Sequence, residues 1–286
     1  MARSSPTRKS RPCWASGGFD VMTTAKARLA VHKFSSCDGC QLAFLNLGED
    51  LLRLAELVEI VHFAEAGPVD PDAVVDIAFM EGSISTPEDE ERIQKIRKNS
   101  RWLITIGACA TAGGLQALRN LADGPGWIAE IYAQPEHIHS LATSTPIAAH
   151  VPVDLELWGC PVNGRQVLGA VRALLFGVIP ALEKDKVCLE CKRRQAVCVL
   201  VAKGLPCMGP VTLTGCGALC PLFGRDCYAC YGPAENPNAP ALGRRLEGLG
   251  LVPEAVARRF LFINSGAPAF AEAGRHWREQ VHDPKP

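Results

Sequence analysis

The stretch Arg101 to Leu121, RWLITIGACATAGGLQALRNL, decides the fold. Trp102 to Ile106 (WLITI) is a short apolar run of the kind carried by a strand buried on both faces. Ala112 to Leu121 reads as a helix, and a loop of small residues holding Cys109 separates the two. The same unit recurs outward in both directions. Toward the N-terminus, Arg28 to Phe34 (RLAVHKF) is a strand followed by an amphipathic helix over Gln41 to Glu56. Val58 to Phe63 (VEIVHF) and Val74 to Met80 (VVDIAFM) are two more strands, and Pro87 opens a charged helix that runs to Asn99. Toward the C-terminus, Leu155 to Trp158 (LELW) is a fifth strand and Asn163 to Phe176 its helix. Strands alternating with helices connect by right-handed crossovers, which predicts an α/β, doubly wound, mostly parallel sheet over residues 26–180.

Outside that span the texture changes. Residues 1–25 are rich in Ser, Arg, Pro and Gly without periodicity and read as a disordered tail, and Met22 is a second candidate start that would leave out Cys13. Residues 181–286 read as a small cysteine-rich domain with little regular structure. Glycine, proline and cysteine dominate up to Pro233, a proline-rich turn region follows, and only Glu254 to Phe260 offers a helix before a polar end. A segment of this composition buries little core and needs metal or disulfides to hold it.

Composition and motif content exclude several function classes. Thirty basic residues balance thirty acidic ones, so no overall field favours nucleic acid or an anionic membrane. The longest apolar stretch, Ala173 to Leu182, is far short of the roughly 18 to 20 residues of a membrane span, and Pro180 lies inside it. The N-terminus has basic residues but no apolar region after them and no twin-arginine pair, so a cytoplasmic location is expected. Thiols there stay reduced, and cysteines at motif spacing read as metal ligands. Gly124-Pro125-Gly126 lacks a third glycine and does not follow a strand, and no Gly-Lys-Ser/Thr phosphate loop occurs.

Four of the thirteen cysteines are scattered: Cys37 and Cys40 in SSCDGC, Cys109 in ITIGACATAGG, and Cys160 in LWGCPVNG. Each falls after an expected strand and before an expected helix, positions that converge at the carboxyl edge of an open parallel sheet. Helix starts there favour thiolate and anionic sulfur, and Gly39, Gly107, Ala108, Gly113 and Gly114 leave room for a bulky inorganic group. Four thiolates suit one 4Fe-4S cluster; a structural zinc or unconnected buried thiols are the plainer readings. Eight more crowd together as Cys188-x2-Cys191-x6-Cys198-x8-Cys207 and Cys216-x3-Cys220-x6-Cys227-x2-Cys230. They match two four-ligand clusters better than a zinc ribbon, which would leave the inner four unexplained. Spacing alone leaves the sharing of ligands open, interleaving included.

These motifs resemble the small, electron-transferring subunit of nickel-iron hydrogenases. KFSSCDGCQLAFLNL, FMEGSIS, ITIGACATAGGLQALRN and WGCPVNG are similar to its flavodoxin-like proximal-cluster domain. The segment from Glu190 to Pro233 resembles most the cytosolic bidirectional type, the delta subunit of sulfhydrogenase or NADP-linked hydrogenase. The resemblance implies three 4Fe-4S clusters: Cys37, Cys40, Cys109 and Cys160 holding the proximal one, Cys188, Cys191, Cys198 and Cys207 the distal one, and Cys216, Cys220, Cys227 and Cys230 the medial one. Nickel-iron, flavin and nicotinamide would reside only in partners, namely a large nickel-iron subunit and flavin/nicotinamide-binding and ferredoxin-like subunits. The chain itself would carry electrons without activating hydrogen. The quinone-proximal cluster subunit of respiratory complex I shares the proximal domain but uses two adjacent cysteines and lacks the eight-cysteine extension. A zinc-stapled scaffold without redox chemistry is the reading from a different class.

Further positions bear on these sites. The resemblance makes Glu81 a carboxylate at the subunit interface, and the bland reading makes it a solvated strand end. Asp38 and Trp158, beside ligands, either tune potential or, for Trp158, pack. His137 and His139 read as surface residues.

Overall fold

The computed structural model describes residues 26–282. The reading of residues 1–25 as a tail, with Cys13 and Met22, lies outside the described residues. Five parallel strands, β1 (Ala27–Lys33), β2 (Val58–Phe63), β3 (Val75–Glu81), β4 (Ser100–Ile106) and β5 (Leu155–Leu157), form one sheet in the order β2-β1-β3-β4-β5. This is the doubly wound, flavodoxin-like order, which reverses direction between β1 and β3. Both faces are buried. Leu29, Val31, Ile77, Phe79, Ile104 and Ile106 pack on one side against Phe44, Leu54, Val167 and Val171. Their alternates Ala30, Ala78, Met80 and Leu103 pack on the other against Ile93 and Ile96. The period of two along each strand thus feeds two apolar layers.

The helix expected over Gln41 to Glu56 is two, α1 (Gly39–Leu45) and α2 (Glu49–Leu57). Gly48 between them has φ 56°, which no helix continues through, and the start of a later helix sits on the break, with Gly164 against Leu47 and the Ala43 carbonyl. α3 (Pro87–Asn99) begins as its sequence predicts: Thr86 and Asp89 form a reciprocal capping box, with Pro87 in the first turn. The helix expected over Ala112 to Leu121 starts earlier, as α4 (Gly107–Ala112), and passes through Gly113 into a 3-10 turn over Gly114–Leu121. α5 (Gly124–Ile131) and α6 (Gly164–Leu175) complete the sheet region.

The cysteine-rich stretch carries only short helices, α7 (Val187–Arg193), α8 (Val199–Ala202) and α9 (Leu219–Leu222). The region beyond it is more regular than its proline content suggests. α10 (Ala239–Glu247), α11 (Pro253–Phe260) and α12 (Pro268–His282) enclose an apolar cluster of Leu242, Leu246, Val256, Phe260, Phe270 and Trp277. The supposed polar end is therefore a helix. Its apolar residues Phe270, Ala273 and Trp277 recur at helical spacing among charged ones. Cys207, Met208, Val211 and Cys227 belong to the same cluster, so the C-terminal helices supply the core that the cysteine-rich stretch lacks.

His32 on β1 and His62 on β2 are buried side by side, with ring centroids 4.6 Å apart. The pKa of His32 is lowered to about 3, chiefly by burial, with the nearby His62 and Arg92 adding to it and Asp72 opposing them. His62 is lowered chiefly by burial. In the unfolded chain both groups titrate near 6.5, so below that pH the unfolded state binds protons that the folded state refuses. Stability is present above pH 6.5 and falls as pH drops toward 3. Urea unfolding of the whole chain at pH 7 and pH 5.5 is expected to show a loss of about 1 kcal/mol from His32, absent in His32→Phe. Equal losses in both proteins would refute the assignment.

Candidate metal centres

The sheet register brings the scattered cysteines together. Lys33, Glu81, Ile106 and Leu157 lie in one row across β1, β3, β4 and β5 at their carboxyl ends, so the loops after β1, β4 and β5 leave from one edge. Cys37 precedes α1, Cys40 is its second residue, Cys109 is the third residue of α4 rather than a loop residue, and Cys160 follows β5. The Val162 N-H points at Cys40 Sγ at 3.5 Å, and the Ala108 N-H donates to the Gly159 carbonyl at 2.7 Å, tying the start of α4 to the loop of Cys160. Burial pushes the Cys109 thiol up to about 12, helped by Cys160 and Cys37 beside it. Burial also raises Cys40, with Cys109 and Cys160 adding to it, and Cys160, with Cys37 adding to it.

Thiols crowded together in a dry place resist ionising unless a metal charge replaces their protons, so this donor set fits a thiolate-bound metal group. The backbone leaves space around the sulfurs. A Cβ on Gly107 (φ 83°) would collide with Cys40 Sγ, and one on Gly114 (φ 60°) with Cys109 Sγ. Gly39 also borders a sulfur, that of Cys37, whereas Gly113 faces Ala117 and serves packing instead. Among the described residues no three His, Cys, Asp or Glu side chains are disposed to grip a single ion.

Seven of the eight crowded cysteines fall into two neighbourhoods. Burial raises Cys188, with Cys207 and Cys198 beside it, and pushes Cys191 up to about 11, with Cys188, Cys207, Cys216 and Cys198 beside it. Burial likewise raises Cys216, with Cys220 among its neighbours, and pushes Cys230 up to about 12, next to Cys216, Cys160 and Cys220. Cys227, the eighth, borders both: its N-H donates to Cys207 Sγ at 3.3 Å, and Cys207 and then Cys230 add to the burial that raises its thiol. Cys230 lies near Cys160, and Cys191 lies near Cys216. The set containing Cys216 and Cys230 thus stands between the scattered four and the set containing Cys188 and Cys191. None of the twelve cysteines forms a disulfide.

Residues 37–174 match the family described as NADH ubiquinone oxidoreductase, 20 Kd subunit. Over 81% of the chain and 97% of the relative, the sequence is 34% identical to sulfhydrogenase 2 subunit delta of Pyrococcus furiosus. The chain belongs to the hydrogenase small-subunit family. The delta subunit of the NAD-reducing hydrogenase HoxS of Cupriavidus necator is 30% identical over 53% of the chain and 80% of that protein. A crystal structure of an NAD+-reducing [NiFe]-hydrogenase in its H2-reduced state contains a similar chain, with TM-score 0.50 and 28% identity over 55% of this chain and 95% of that one. This hydrogenase subunit is accordingly part of a multi-subunit oxidoreductase that carries iron-sulfur clusters. No helix among its described residues is long and apolar enough to cross a membrane.

Glu81 of the hydrogenase subunit differs from both expectations. It is 2% exposed, neither solvated nor free for an interface, and it braces the ligand loop: Oε1 accepts the Cys40 N-H and Oε2 accepts from Gln41 Nε2, both at 2.9 Å. Burial raises its pKa, and the bonds from Gln41 and Cys40 oppose that. Asp38, in the left-handed region at φ 63°, accepts from Lys33 Nζ at 2.8 Å. Trp158 donates to Glu156 Oε2 at 3.2 Å and its ring packs on Gly232, where a Cβ would collide with it. His137 and His139 are exposed. Neither is a member of any ligand group among the described residues.

Proposed function

We propose that the chain relays electrons between the nickel-iron site of a large subunit and a flavin/nicotinamide or polysulfide-reducing partner, through three 4Fe-4S clusters. The observation that carries this reading is the run of neighbouring thiols from Cys109 and Cys160 through Cys230 and Cys216 to Cys191 and Cys188; in this proposal Cys37, Cys40, Cys109 and Cys160 hold one cluster, Cys216, Cys220, Cys227 and Cys230 the next, and Cys188, Cys191, Cys198 and Cys207 the last. Bound clusters supply one-electron redox chemistry at potentials their surroundings set. The chain holds them dry at Cys40, Cys207 and Cys227, which are buried, and opens at Cys37 in the first set and Cys198 in the last, which are exposed. The proximal end faces the large subunit in this proposal. The exposed end at Cys198 is flanked in sequence and fold by Val197, Val201 and Phe223, and by Lys192, Arg194, Lys203 and Arg225, cations with no ion-pair partner among the described residues. Such a surface suits an acidic, ferredoxin-like partner. Residues 26–180 and 181–286 would be the two working units, in the cytoplasm, where thiols stay reduced.

The reading of a complex I relative draws on the same matched domain, but the separation of Cys37 from Cys40 and the second and third cysteine sets favour the hydrogenase role. Anaerobic purification is expected to give about twelve irons per chain with matching acid-labile sulfide and no stoichiometric zinc. Alone, the chain is expected to show reducible clusters and no hydrogen uptake, with activity appearing on addition of the large subunit. A colourless preparation would overturn the cluster assignment, and hydrogen oxidation by the isolated chain would overturn the division of labour.

A further inference from the structure

Glu190 lies on α7 between Cys188 and Cys191, yet its carboxylate leaves that helix and enters the turn that carries Cys216. Oε1 accepts the Gly217 N-H at 2.8 Å; Oε2 accepts the Ala218 N-H at 3.2 Å and the Gly215 N-H at 3.4 Å, and stands 3.9 Å from Cys216 Sγ. Backbone N-H groups converging on one point form a concavity that holds an anion. The turn keeps this shape although Ala218, a residue with a Cβ, must adopt φ 51°. One residue therefore belongs to one cysteine set through its backbone and to the next through its side chain.

We propose that Glu190 is a positioning residue that fixes the turn of Cys216 against the helix of Cys188 and Cys191, and that its charge lowers the reduction potential of the cluster bound by Cys216. The proposal rests on the reading of these sets as iron-sulfur ligands. A carboxylate beside thiolates is repelled by them, and three N-H donors offset that repulsion at this place. A glutamine there offers one acceptor oxygen where the turn uses two, so it loosens the staple as well as removing the charge. The charge gives it an electronic consequence, because a negative group close to a cluster makes an added electron less welcome.

The test is potentiometry followed by electron paramagnetic resonance on the assembled hydrogenase complex, comparing wild type, Glu190→Gln and Glu190→Asp. In Glu190→Gln one centre is expected to be reduced at higher potential while the proximal centre stays where it was. Glu190→Asp keeps the charge and is expected to keep the potential near that of wild type. Selective loss of one centre from Glu190→Gln, with the others intact and Glu190→Asp complete, would equally support the positioning role. Three centres with unmoved potentials in Glu190→Gln would overturn the proposal, as would loss of all three. A wild-type complex without three such centres would instead sink the underlying electron-relay reading, which separates the two failures.

Discussion

Cys109→Ser is expected to strip one cluster of a corner ligand, so that iron falls from about twelve to about eight per chain and hydrogen no longer reduces the remaining clusters in the assembled complex. The effect should exceed the roughly 10- to 100-fold loss of metal affinity that follows from changing an outer partner of a ligand. The reason is geometric. Cys109 sits in the first turn of α4 with Gly114 close against it, and its sulfur has Cys160 and Cys37 as neighbours. Cys13→Ser, altering the one cysteine outside the described residues, is expected to leave iron content and electron flow unchanged. Iron analysis and hydrogen-driven bleaching of the clusters read both variants; equal damage from the two would overturn the ligand assignment.

Phe270→Ala is the second large effect. The ring is fully buried, edge-on to Phe260 at a centroid distance of 5.9 Å and in one apolar cluster with Trp277, Leu242 and Val256. Truncating such a phenylalanine costs about 3 to 5 kcal/mol, a large share of the roughly 5 to 15 kcal/mol that holds a domain together. Since Cys207, Met208 and Cys227 rest on that cluster, the eight-cysteine stretch is expected to release iron on mild warming, and amides over residues 239–282 to exchange faster. Hydrogen-exchange mass spectrometry alongside iron analysis checks this. Unaltered protection and iron content would mean that the cysteine-rich stretch holds itself without the helices.

The sheet and the scattered cysteines were legible for the same reason. Parallel strands buried on both faces read as continuous apolar runs such as WLITI, and the topology of such sheets sends the loops after β1, β4 and β5 to one edge whatever their separation in sequence. Helix boundaries were less legible because glycine conformations decided them. Gly48 splits one amphipathic stretch into α1 and α2, while Gly107 lets α4 begin directly at the strand end, so Cys109 enters the helix. Of the C-terminal helices α11 was legible over Glu254 to Phe260, whereas α10 was hidden in the proline-rich stretch, where Pro240 stands near a helix start, and α12 in the charged residues of the polar end. Glu81 and Glu190 were beyond reach of spacing altogether. Their partners are backbone N-H groups, identical in every residue but proline, and only the folded chain shows which carboxylate meets which turn.

Gly266, just ahead of α12, lies on the Ala112 carbonyl so closely that a Cβ would collide with it, and Ala112 is the last residue of α4, which holds Cys109. Asn264, two residues earlier, donates from Nδ2 to the Ala229 carbonyl at 2.7 Å, in the turn between Cys227 and Cys230. Two contacts from one short stretch near the end of the chain thus reach back to segments more than thirty and more than a hundred and fifty residues earlier, and a chain cut short before residue 264 would lose both clasps at once.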